Sequence, residues 1–167
     1  MKWLIIILVV SSLVGSVMWV MPSPRERFQA NLRLKARKLG FQVQIAQLKM
    51  PRQKGEMEAE TLSVPVYRQV RTNLNSRQKD NWVSWHVCRG ETLAQDGLPP
   101  GWSWITGEGR LSDDRLRPLC ETLQALPDDA IALESTPIHL NVFWRERDEA
   151  SLDRIKNAID PLVEARI

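Results

Sequence analysis

From Trp3 to Met21 the chain reads WLIIILVVSSLVGSVMWVM, with no charged position. A helix of that length would extend about 28 Å at about 1.5 Å per residue, close to the hydrocarbon core of a bilayer, which predicts a transmembrane anchor over residues 1–21. Trp3 and Trp19 fall near its two ends, where indole rings favour the membrane interface. The competing reading is a cleaved secretory signal with a small-residue site at Val14-Gly15-Ser16. Apolar sequence continues past that site to Met21 and a dense basic cluster follows at once, which favours the uncleaved anchor.

The pattern then changes. Met21-Pro22-Ser23-Pro24 ends the apolar run, and Ser23 followed by Glu26 has capping-box spacing with Pro24 at the first helical position. Lys35, Arg37 and Lys38 near the end, then Gly40, are stop signals, so a helix is expected over 24–39. Phe28, Leu32, Ala36 and Leu39 share an arc of about 80° on it. Phe41-Gln-Val43-Gln-Ile45 alternates and predicts a half-buried strand. Residues 50–63 are polar and aperiodic, the pattern of a mobile loop. Val64–Val70 and Trp82–Arg89 are the next strands, the first blunted by Pro65 and therefore expected at a sheet edge. Residues 90–109, with Pro99, Pro100 and several glycines, read as loop. Ser112-Asp113-Asp114 opens a helix carrying Leu116, Leu119, Cys120, Leu123 and Leu126. Ala130–Glu134 and Ile138–Trp144 form an expected hairpin, and a closing helix from Ser151 carries Leu152, Ile155, Ile159 and Leu162, kinked or ended by Pro161.

This order predicts an α+β fold: an N-terminal transmembrane helix, a basic juxtamembrane amphipathic helix over 22–40, and an α+β domain over 41–167. The domain is expected to hold a mainly antiparallel sheet with helices on one face, loosely similar to ferredoxin-like arrangements. The chain has 167 residues, 43% hydrophobic and 26% charged, which is ordinary globular usage with room for one core. Two cysteines exclude a disulfide-dense scaffold.

Charge sharpens the picture. The net +3 splits into +8 over residues 22–54 (nine Lys/Arg against Glu26) and −6 over residues 55–167 (13 Lys/Arg against 19 Asp/Glu), with Lys2 making up the sum. The excess of basic residues after the apolar run orients an anchor with its N-terminus outside and the C-terminal domain cytoplasmic, in a bacterial inner membrane. On that reading Arg25, Arg27, Arg33, Arg37 and Lys38 form a membrane-surface contact with anionic lipid. No aromatic-interleaved groove accompanies them, so nucleic acid is not an expected partner.

Reactive groups are sparse. His86, Cys88, Cys120 and His139 number as a zinc set but lack the spacings of a structural site. No nucleophile elbow, phosphate loop or dinucleotide fingerprint is present, and Asp113/Asp114 and Asp128/Asp129 fit a helix start and a turn. No catalytic residue, metal or cofactor is expected. Five tryptophans, at 82, 85, 102, 104 and 144, either fill a thin core or include partner anchors, for which Trp102 and Trp104 in the Pro/Gly loop are the candidates.

The opening Met21-Pro-Ser-Pro-Arg-Glu-Arg after an apolar run resembles, in layout over about 40 residues, the YajC family of preprotein-translocase accessory subunits. The glycine- and valine-rich segment that follows in that family is missing here. The whole chain is similar to uncharacterised single-span inner-membrane proteins of gamma-proteobacteria. They share the P-S-P-R start, Gly97-Leu-Pro-Pro-Gly-Trp102 and the strand ending Val142–Glu146. That resemblance implies a location but no activity. The function expected from the sequence is a non-enzymatic, membrane-anchored interaction or accessory subunit with a protein partner. The alternatives are a YajC-like accessory protein and a small enzyme or metal-binding domain.

Overall fold

The structure of the protein is a computed structural model that describes residues 2–20, 22–52 and 59–167, and the side chains of all of these except 17–20. Among them are five helices and six strands: α1 Lys2–Val20, α2 Pro24–Lys38, β1 Phe41–Lys49, β2 Thr61–Val70, α3 Ser76–Asp80, β3 Trp85–Arg89, β4 Trp102–Thr106, α4 Asp113–Ala125, β5 Ala130–Ser135, β6 His139–Trp144 and α5 Ala150–Glu164. The chain divides into two units, residues 1–32 and residues 33–167.

The anchor expected at 1–21 needs correction. Among the described residues no helix is long and apolar enough to cross a membrane. The transmembrane helix, the single-pass topology and the inner-membrane location with a cytoplasmic C-terminal domain are therefore withdrawn. The helix after it forms as the sequence predicts. The Ser23 amide donates to Glu26 Oε2 at 2.6 Å and the Glu26 amide to Ser23 Oγ at 3.3 Å, a reciprocal cap that holds the Glu26 carboxyl below its usual range. Gly40 closes the helix at φ +89°, a left-handed value that glycine adopts without strain.

Residues 33–167 build one antiparallel sheet in the order β1-β2-β6-β5-β3-β4. All neighbouring strands run antiparallel, as the expected sheet required. β2 is not an edge strand, although it contains Pro65. Its pairing with β6 begins at Val66, so Pro65 sits where β2 has β1 alone as neighbour and no ladder bond on the other side is lost. β1 and β2 are longer than expected, reaching Lys49 and starting at Thr61; residues 53–58, the middle of the loop expected over 50–63, lie outside the described residues.

One face of the sheet carries Trp104, Val87, Trp85, Leu133, Val142, Leu140, Trp144 and Tyr67, which line up across the strand registers. Helices α4 and α5 lie on it. Lys156 of α5 sits 5.9 Å from the Phe41 ring, and Phe41 and Tyr67, then Tyr67 and Trp144, pack edge to face at 5.8 and 5.1 Å. The α5 stripe Leu152, Ile155, Ile159 and Leu162 is fully buried, so Pro161 does not end the helix: one forfeited backbone bond is outweighed by the last turn's apolar contacts. Thr122 of α4 donates to the Ala158 carbonyl of α5 at 3.1 Å. The opposite face gathers Leu48, Met50, Val64, Val66, Cys88, Ile131, Ala132 and Phe143 into a second apolar cluster.

The segment expected to be loop over 90–109 is where the structure departs most from the sequence reading, because Trp102–Thr106 is strand β4 on the sheet's edge. Gly107 ends it at φ +95°, and a Cβ there would lie 2.8 Å from Trp85 Cβ. Gly107→Ala is therefore expected to cost about 2 kcal/mol in a denaturant titration, combining left-handed strain with a clash against an immobile core residue.

Candidate functional site

The residues singled out in the sequence scatter in the structure. Arg25, Arg27, Arg37 and Lys38 stand exposed along α2. Arg33 does not join them as a free cation: its Nε and Nη2 donate to Glu146 Oε1 and Oε2 at 2.7 and 2.8 Å. The bidentate bond raises the guanidinium's affinity for its proton and removes Arg33 from any basic surface. Trp102 and Trp104 are only 2% and 3% exposed, so neither offers a partner an anchor. They were read as loop residues, but in β4 both face the helix-covered side. There the Trp104 indole N–H donates to the Asp96 carbonyl at 2.9 Å and the Arg89 guanidinium lies 4.7 Å over the Trp102 ring.

His86 and Cys88 share the other face of β3, but Cys120 lies on α4 beside the Gly97 carbonyl, so the four soft ligands do not converge. Among the described residues no three His, Cys, Asp or Glu side chains are grouped to hold a metal ion. Burial pushes the Cys88 thiol up to about 11, which keeps it un-ionised and unreactive at neutral pH. His86 stacks on Phe143 at 5.5 Å, and burial lowers its pKa, so it is a neutral ring in a packed setting. Across the strands beside it, Glu134 accepts from the Asn141 amide at 2.7 Å.

The feature that these residues leave unexplained is the other edge of the sheet. Among the described residues β1 pairs with β2 alone, in an unbroken register from Phe41↔Gln69 to Lys49↔Thr61. Its sequence FQVQIAQLK has no charge before Lys49, no proline and no bulge. Gln42, Gln44 and Gln47 are exposed, and Ile45 at the strand's centre is 58% exposed. Natural proteins guard such edges with lysines, prolines, bulges or short strands, because a long flat edge presents a row of backbone donors and acceptors to any extended chain. β4, the opposite edge, follows that practice: it is five residues long and its pairing with β3 is interrupted by a register shift. β1 does not. The signal was present in the alternation of FQVQI, but which strand would stand at the edge depends on long-range pairing that local patterns do not encode.

No family model, curated protein or solved structure matches the chain.

Proposed function

We propose that this protein is a non-enzymatic interaction module, an accessory subunit that binds a partner protein by adding one of the partner's extended segments to the free edge of β1. The observation that carries the reading is the nine-residue, unbulged edge, uncharged before Lys49, with Ile45 exposed at its centre. Strand addition takes its affinity from main-chain hydrogen bonds and its specificity from alternate side chains. β1 offers both: an unpaired ladder, and Val43 and Ile45 as apolar positions between glutamines that can bond without regard to charge. The packed settings of Cys88 and His86 support a role in binding rather than in nucleophilic chemistry.

The test compares the full chain with a double variant, Ile45→Lys and Gln47→Lys, which installs the edge charges that β1 lacks. Both positions are exposed, so thermal melting should shift by no more than about 0.5 kcal/mol. In parallel affinity purifications from the native source, a reproducible partner should accompany the wild type and fall at least roughly tenfold with the variant, the effect of like charge or lost pairing on a strand interface. Equal recovery by both forms, or no reproducible partner of the wild type, would sink the proposal.

A further inference from the structure

A concavity of about 280 Å³ in the 33–167 unit is lined by Arg77 of α3, Arg115 of α4 and Arg166, with Gln78, Asn81 and Trp82. Its three guanidinium groups come from three separate segments. Among the described residues no acidic side chain lines it and no ion pair involves these arginines. That is an unusual grouping in a stretch that carries −6 over residues 55–167. We propose that this pocket binds a small phosphate-bearing molecule.

Two further observations support a built site. Arg166 has φ +59° at the end of α5, where its amide donates to the Val163 carbonyl at 3.3 Å and the Ile167 amide to the Leu162 carbonyl at 3.1 Å. This is the helix-ending motif whose left-handed position glycine ordinarily fills, so an arginine there holds strain in order to place its side chain. Behind the pocket, the buried Arg71 guanidinium lies 4.4 Å over the Trp82 ring. It donates to Ser135 Oγ and to Ile167 O, while its Nε and Nη1, and the Trp82 Nε1, have no partner among the described residues. These unpartnered donors leave hydrogen-bonding capacity beside the pocket that Trp82 lines. Phosphate fits three guanidinium groups better than carboxylate does. A carboxylate's two oxygens are saturated by one planar fork, whereas a phosphate keeps acceptors for forks approaching from several sides.

The full chain titrated calorimetrically with sodium pyrophosphate, at constant ionic strength set by sodium chloride, tests this. Pyrophosphate should bind and should raise the melting temperature. Arg115→Ala and Arg77→Ala should each weaken it roughly tenfold, the loss of one charge-assisted contact. Arg117→Ala, an exposed arginine of α4 outside the pocket lining, should leave it unchanged. Arg166→Gly separates ligand binding from structure: the ligand-free protein should melt higher because the strain is relieved, yet bind pyrophosphate about tenfold more weakly. No binding above the chloride background overturns the proposal, as does an affinity indifferent to both Arg115→Ala and Arg166→Gly. Citrate is the second probe, and tighter binding of citrate than of pyrophosphate would overturn the phosphate assignment.

Discussion

A double variant carrying Trp102→Ala and Trp104→Ala is expected to be unfolded at room temperature, with no cooperative thermal transition by circular dichroism. Each indole is almost wholly buried, and truncating a buried tryptophan costs about 3–5 kcal/mol through lost transfer energy and the cavity left behind. Against the roughly 5–15 kcal/mol that stabilises an ordinary domain, two such losses consume most of the margin. Neither is a simple cavity. Trp104 anchors the 90–101 connection twice, through its indole N–H to the Asp96 carbonyl and its backbone N–H to the Ala94 carbonyl at 2.7 Å. Trp102 supports Arg89, which reaches across to the Ala130 and Pro127 carbonyls at 3.0 and 3.1 Å and ties β3 to the start of β5. Trp104→Phe keeps most of the volume but drops the indole N–H; it should stay folded at a cost of about 1–2 kcal/mol, the sum of a modest packing change and an unmade hydrogen bond. A double alanine variant that still melts cooperatively, within a few degrees of the wild type, would return both tryptophans to the surface.

Why β4 read as a loop is a physical matter. Trp102-Ser-Trp104-Ile-Thr106 does alternate, but it is only five residues long and lies between Pro99-Pro100-Gly101 and Gly107-Glu-Gly109. The flanks are turn chemistry, and five residues give a period-two pattern little weight against them. Local signals were decisive where both partners of an interaction lie within one helical turn. The Ser23–Glu26 cap, the positive φ at Gly40 and the Leu152-Ile155-Ile159-Leu162 stripe are of this kind. So is the β5–β6 hairpin, whose arms are joined by a short turn. Features set by distant pairing were not legible. Pro65 was a sound reason to expect an edge, but β6 closes on β2 only from Val66 onward. The charge arithmetic counted Arg33 in a basic collar because nothing near it in sequence neutralises it, and its partner is 113 residues away. The arginine pocket draws on positions 77, 115 and 166, which only the tertiary fold assembles. Both proposed binding features thus arise from topology. Strand order leaves β1 at the edge, and the ends of three helices bring the guanidinium groups together.

The same long-range pairing gives the second large effect: Glu146→Ala should destabilise the fold by about 3–4 kcal/mol. The Glu146 side chain is wholly buried and accepts three hydrogen bonds, two from Arg33 and one from the Tyr67 hydroxyl at 2.9 Å. Burial and the Glu146 carboxylate raise the Tyr67 pKa, so the phenol stays a donor across the accessible pH range. Removing the carboxylate strands that buried hydroxyl, at about 1–3 kcal/mol, and leaves the Arg33 cation without its partner. The second loss falls short of the full penalty for a stranded buried charge, because the Arg33 side chain is 33% exposed and can turn toward water. Glu146 also sits at φ +54°, so alanine gains nothing in backbone strain. Arg33→Ala should cost about as much, about 3–4 kcal/mol, since it leaves a wholly buried carboxylate with the Tyr67 hydroxyl in place of three donors. Urea titrations of both single variants and the double should show a coupling of about 2 kcal/mol, nearly unchanged in molar salt because the pair is shielded from screening ions. The contrast is Lys35, whose bonds to Asp153 and Glu149 are exposed: Asp153→Asn should cost under about 1 kcal/mol. Equal effects from Glu146→Ala and Asp153→Asn would mean that the ion pair at the end of β6 does not hold the last turns of α2 to the sheet.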